Sequence, residues 1–127
     1  MNANSNQIAE TVMIFAGVAI GGGFGSVLRM LLGKLTTKSV PIGILIANTL
    51  ASGFLAHVSV LNHDWVWAML SAGLAGGLST FSTWAAQTGD LWAAGQRGDA
   101  INNALLNLLL PVTAVLIVLI PQLFQGY

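Results

Sequence analysis

The chain has 127 residues, of which 55% are hydrophobic and 6% charged, with a formal net charge of zero. About a quarter of the residues of a soluble domain are charged, so this composition, with a mean hydropathy of +0.79, excludes an ordinary soluble domain and indicates an integral membrane protein with room for one compact bundle. No cysteine is present, which excludes disulfides and thiolate metal sites, and the lack of a basic cluster argues against partnership with nucleic acid or anionic lipid.

Residues 1–9 are polar, lack the basic start of a signal peptide, and read as a short tail leading into the first span. That span is expected over residues 8–32. Gly17, Gly21 and Gly25 recur in it at a spacing of four, with Gly22 and Gly23 between them. Small residues at that spacing make a face that another helix can approach closely, including a helix from a second copy. Arg29 falls in the last turn, where a charge must snorkel to the interface or find a partner.

Lys34 and Lys38 make the next connection basic, and Pro41 suits the first turn of a second span over residues 42–61. Its one strongly polar side chain is Asn48, well away from either end. An amide at that depth must face protein or water. It can bond a neighbouring helix or offer its two N–H donors to an anion. His57 and His63 have no partners at helical spacing and read as interfacial residues. Asn62, His63 and Asp64 form a tight turn, after which Trp65 and Trp67 mark a membrane surface.

The third span, residues 65–92, has Asp90 as its only charge, yet three glycines and four hydroxyls crowd into the twelve positions from Gly73 to Trp84. Gly76 and Gly77 followed by Ser79 and Thr80 lower helix propensity and free backbone carbonyls, which a membrane admits only inside protein or beside a wet cavity. The spacing therefore predicts a helix broken in mid-membrane. Freed carbonyls suit a cation, while hydroxyls and the positive edges of Phe81 and Trp84 suit an anion. The competing reading is a glycine-rich helix packed tightly on a neighbour, its hydroxyls bonded back to its own carbonyls.

Asp90, Gly95, Gln96, Arg97, Gly98 and Asp99 supply the next connection, and the fourth span follows over residues 100–120. It places Asn103, Asn107 and Pro111 four apart on one face, either as a polar seam between helices or as the lining of a path. Four spans bring both termini to one side. Lys34, Lys38 and Arg97 lie on the other side with Arg29 near it, a bias that by itself puts the basic side in the cytoplasm.

The run from Gly76 to Thr83 resembles the Gly-Gly-Phe-Thr-Thr-Phe-Ser-Thr-Phe signature of the small bacterial fluoride channels, the Fluc or CrcB family, with Trp84 in place of the second phenylalanine. Residues 21–29 resemble that family's first helix, which ends in a matching arginine. Residues 43–54 resemble its second, where one asparagine points into the ion pathway; Asn48 takes that position, and Ala51 replaces a small residue. The fourth helix matches loosely, with Asn103 and Asn107 replacing a tyrosine and serines.

The resemblance implies an all-α membrane protein of four transmembrane helices, assembled as an antiparallel, dual-topology homodimer in the bacterial inner membrane, in tension with the charge bias. It implies a fluoride-selective channel that passively exports cytoplasmic fluoride and confers fluoride resistance without catalysis. The implied fluoride pathway comprises Asn48, Phe81, Ser82, Thr83, Trp84, Asn103 and Asn107, with Arg29 as vestibule residue or anchor. The implied cofactor is a structural sodium ion on the two-fold axis, held by the carbonyls of Gly76 and Ser79. Two other classes compete. A small multidrug antiporter needs an embedded carboxylate, and Glu10 stands only at the lip of the first span. A non-transporting assembly subunit would explain the glycines but not Asn48 together with the aromatic and hydroxyl cluster. An enzyme fits least, since no pairing of nucleophile with base is visible.

Overall fold

The computed structural model describes residues 3–35, 41–60 and 65–124. Among them the chain is entirely helical, in the order α1 (Ala3–Leu32), α2 (Ile42–Val60), α3 (Trp65–Leu78), α4 (Phe81–Ala93) and α5 (Arg97–Leu123). Among the described residues three helices, α1, α2 and α5, are long and apolar enough to cross a membrane. Lys38, and the turn expected at Asn62, His63 and Asp64, lie outside the described residues.

Helix α1 begins inside the stretch read as a tail. No proline or glycine interrupts residues 3–16, so the first span continues outward as extra helical turns, with Thr11 Oγ1 donating to the Gln7 carbonyl at 2.8 Å. Helix α5 likewise starts earlier than expected, at Arg97, with Asp99 in its first turn where the helix dipole favours a negative charge. The connection before it is short. Gly95 takes φ 79°, and Gln96 N–H donates to the Leu91 carbonyl and Gly95 N–H to that of Trp92, each at 3.0 Å. These crossed bonds close α4 in a left-handed cap that glycine adopts without penalty.

The broadest interface joins α1 to α3; α2 packs on both α3 and α5, and α4 on α5. The glycine face of α1 is spent on the first of these. A Cβ on Gly21 would stand 2.5 Å from the Leu70 carbonyl oxygen, one on Gly73 would stand 2.5 Å from that of Val18, and Gly25 and Gly77 would collide with the backbones of Leu74 and Gly22. The glycine stripe therefore serves packing within the chain, and is not left open as a face for a second copy. Gly17 lies at ordinary contact distance from Leu70.

The core is thin and made of small residues: Ala47, Ala51 and Ala75 with Leu78, and Leu32 against them. Large apolar side chains point outward along α1 and α5, as with Phe15, Val27, Leu109 and Ile117. This is the inverse of a water-soluble protein and suits helices whose outer faces are solvated by lipid.

Candidate functional site

The site is built around two residues that belong to no helix. Helix α3 ends at Leu78, its last turn closed by Ser79 N–H on the Ala75 carbonyl at 2.9 Å. Thr80 is extended, φ −156° and ψ 124°, and serves as the N-cap of α4. Its hydroxyl accepts from Thr83 N–H at 3.3 Å and donates to Thr83 Oγ1 at 3.2 Å, with Ser82 Oγ also within 3.3 Å. A threonine here does for the start of α4 what N-caps do generally, satisfying an N–H that has no helical partner.

Asn48 reaches across from α2 and pairs with the backbone of the same residue. Thr80 N–H donates to Asn48 Oδ1 at 2.8 Å, and Asn48 Nδ2 donates to the Thr80 carbonyl at 3.3 Å. Because a backbone N–H can only donate, the first bond fixes which way round the amide sits. The second Nδ2 hydrogen goes to Asn107 Oδ1 at 3.1 Å.

From there the network runs up α5. Asn107 Nδ2 donates to Asn103 Oδ1 at 3.2 Å and to the Asn103 carbonyl at 3.1 Å. Asn103 Nδ2 donates to Thr88 Oγ1 at 2.9 Å, and Thr88 Oγ1 donates to the Trp84 carbonyl at 2.9 Å. Trp84 Nε1–H closes the circuit on the Asn103 carbonyl at 3.2 Å. All three asparagines are buried, Asn103 completely. A buried amide left without partners costs about 1–3 kcal/mol, so this seam ties α2, α4 and α5 together while its bonds are satisfied.

The aromatic pair lies beside the seam. Phe81 and Trp84 stack edge to face, with ring centroids 5.1 Å apart and planes at 87°. Phe81 is 73% exposed and Trp84 half-buried. An open cavity of about 210 Å³ is bounded by Asn48, Ser52, Ser79, Thr80, Phe81, Trp84, Asn107 and Pro111. It gathers four of the residues singled out in the sequence for the ion pathway: Asn48, Phe81, Trp84 and Asn107. Ser82, Thr83 and Asn103 do not border it; Ser82 and Thr83 belong to the cap of α4, and Asn103 lies behind Asn107. Pro111 lacks an N–H and so leaves the Asn107 carbonyl without its usual helical donor. Ser52 and Thr88 did not stand out in the sequence. Thr80 did, as one of the hydroxyls that follow the glycine pair, but it was not among the residues expected along the ion pathway.

Arg29 is half-buried, and its Nη1 donates to the Ser79 carbonyl at 3.3 Å. The side chain turns to the interruption, where helix-end carbonyls carry partial negative charge. A Cβ on Gly76 would meet nothing within 4 Å. Gly76 and Ser79 edge a shallow groove of about 170 Å³ with Ala51, Ser52, Leu55, Ala72 and Ala75. The donor that a continuous helix would bring to the Gly76 carbonyl is Thr80 N–H, which Asn48 has taken.

The family model described as "CrcB-like protein, Camphor Resistance (CrcB)" matches residues 16–119, a span that includes every residue of this site. Proteins named fluoride-specific ion channel FluC are similar over 107 residues. That of Escherichia fergusonii is 38% identical, covering 77% of this chain and 84% of the relative. Those of Escherichia coli O17:K52:H18 and Shigella boydii serotype 18 are 37% identical with the same coverage. With its matched span running from α1 into α5 and the asparagine seam and aromatic pair inside that span, this chain belongs to the CrcB-like family.

Proposed function

We propose that this chain is a fluoride-selective channel of the bacterial inner membrane, letting cytoplasmic fluoride leave passively and without catalysis. The observation that carries the reading is the cavity at the helix interruption, where the Asn48 and Asn107 amides meet the Phe81 and Trp84 rings. A small, strongly hydrated anion needs positive ring edges and polar donors to replace its water, and must meet no full charge that would hold it too long. The Asn48 and Asn107 N–H groups are engaged with Thr80, Asn107 and Asn103 in the single chain, so they serve the ion only where it displaces one of those bonds. The relatives' name, fluoride-specific ion channel, supplies the anion.

In this reading α3 and α4 are one membrane span, interrupted within the bilayer. They have 14 and 13 residues, so each alone is shorter than the ~20 residues that cross the hydrocarbon core. Lipid tolerates the irregular peptide between them because it is bonded to Asn48 and borders a cavity.

The working unit is an antiparallel homodimer. The groove beside Gly76 and the exposed face of Phe81 are the surfaces a second copy would cover, and a cavity open on one side in a single chain becomes a closed path between two. A sodium ion on the two-fold axis completes the assembly. The residues present fit it: Gly76 offers a carbonyl without its helical donor on an uncovered face, and hard carbonyl oxygens suit a hard cation. Ser79 would supply the second oxygen while also accepting from Arg29. A fixed cation there supplies positive potential that offsets the desolvation of a nearby anion.

The test is fluoride efflux from liposomes holding the purified chain, followed with a fluoride electrode. Efflux that needs no proton gradient and exceeds chloride efflux supports the channel. Liposomes that retain fluoride, or that move protons in step with a drug, overturn it.

A further inference from the structure

The side chain of Asn48 carries the same pair of groups as a peptide, one donor and one acceptor in a plane. An extended residue presents its N–H and C=O toward the same neighbour, as residues do in an antiparallel sheet. Asn48 takes both from Thr80, at 2.8 Å and 3.3 Å. The ladder of α3 continues through Ser79 N–H on the Ala75 carbonyl and stops at Thr80, whose N–H is the first to leave it and is the one that Asn48 holds. Glycines lower the cost of a break, but they do not say where it falls or keep it open.

We propose that Asn48 is a positioning residue that holds the third span open: its amide clamps the backbone of Thr80 in the extended state and keeps Thr80 N–H off the Gly76 carbonyl. Loss of the clamp leaves that part-buried N–H without its partner; the acceptor a continuous helix offers it is the Gly76 carbonyl, and the ladder closes by another rung. Where it concerns what the free Gly76 carbonyl does, this rests on the channel reading above; where it concerns the break, it does not. Asn107 supports the clamp by accepting from the remaining Nδ2 hydrogen.

Threonine Cα and Cβ chemical shifts report backbone conformation directly, and Thr80 is assigned by subtracting the spectrum of Thr80→Ser. The full chain is labelled, reconstituted in lipid, and compared with Asn48→Leu, which keeps the bulk and removes the acceptor for Thr80 N–H. The expected result is an extended Thr80 in the parent and a helical Thr80 in Asn48→Leu. A Thr80 that stays extended in Asn48→Leu overturns the proposal. Should Asn48→Leu fail to fold, a solid-state distance from Thr80 nitrogen to Asn48 Cγ in the parent chain decides: hydrogen-bonding range supports the clamp, and a longer distance overturns it. No fluoride is needed for either readout, so a parent protein that failed to conduct would overturn the channel and leave the clamp standing.

Discussion

Arg29, near the end of α1, donates from Nη1 to the carbonyl of Ser79 at the interruption between α3 and α4, across 3.3 Å. The bond explains how an arginine is carried at the end of a membrane span: the carbonyls at the end of α3 give its charge a partner. It also sets two cations on one oxygen if sodium binds there. Arg29→Gln is therefore expected to have opposite effects on two measurements. Unfolding in detergent should show a loss of about 1 kcal/mol, while sodium should bind about fivefold more tightly once the neighbouring charge is gone. Unchanged sodium affinity, with stability lowered as stated, would show that the ion and Arg29 do not share Ser79.

Gly76 and Gly77 are adjacent in sequence and opposite in role. A Cβ on Gly77 runs into the backbone of Gly22, whereas one on Gly76 meets open space. Gly77→Ala must push α1 from α3, a strain of about 1–3 kcal/mol, and should weaken the fold of each subunit. Gly76→Ala should leave the subunit intact and weaken only assembly and sodium binding. Thermal unfolding paired with cross-linking in detergent separates them. Equal losses of subunit stability for both variants would contradict the assignment of these two faces.

The seam of asparagines gives a third expectation. Asn107→Leu removes the acceptor for Asn48 and the donor to Asn103 together, leaving buried polar groups at both ends. A loss of about 2–3 kcal/mol is expected. In a double-mutant cycle, Asn48→Leu and Asn107→Leu should cost less together than the sum of their separate effects, by about 1 kcal/mol. Strict additivity would mean that the two amides do not act as a pair.

Much of this was legible in the chain itself. Long apolar runs announced α1, α2 and α5, since a span needs about 20 such residues and this chain has few charges to interrupt them. The glycines and hydroxyls from Gly73 to Trp84 located the irregular segment, and the spacing of Asn103 and Asn107 put them on one face. Two readings were open for the glycines, tight packing and a break; Gly73 and Gly77 pack on α1, whereas a Cβ on Gly76 would meet nothing within 4 Å. What the sequence withheld were partners across helices. That Asn48 meets Asn107 depends on α2 lying against α5, which no periodicity states. That the stripe on α1 mates with α3 and not with a second copy depends on glycines at matching heights on the two helices. Arg29 was hard to place because its long side chain reaches well beyond its own turn.

The last expectation concerns the aromatic pair. Trp84 Nε1–H is committed to the Asn103 carbonyl at 3.2 Å, so the indole has no N–H left for an ion and takes part only through its ring. Its bond also holds the ring in place, and Phe81 stands against it edge to face. Trp84→Phe removes the hydrogen bond and some bulk while keeping an aromatic edge. Stability should fall by about 1 kcal/mol, and fluoride flux should stay similar or rise as the path widens. Phe81→Ile keeps apolar character and removes the ring, and with it the positive edge that the proposed channel offers the anion. Flux should drop about tenfold or more, the equivalent of at least about 1.4 kcal/mol at the barrier, with the dimer still forming. Efflux from liposomes measures both variants against the parent. Normal conduction by Phe81→Ile, together with no change in Trp84→Phe, would make the pair a packing contact and move the anion route away from this cavity.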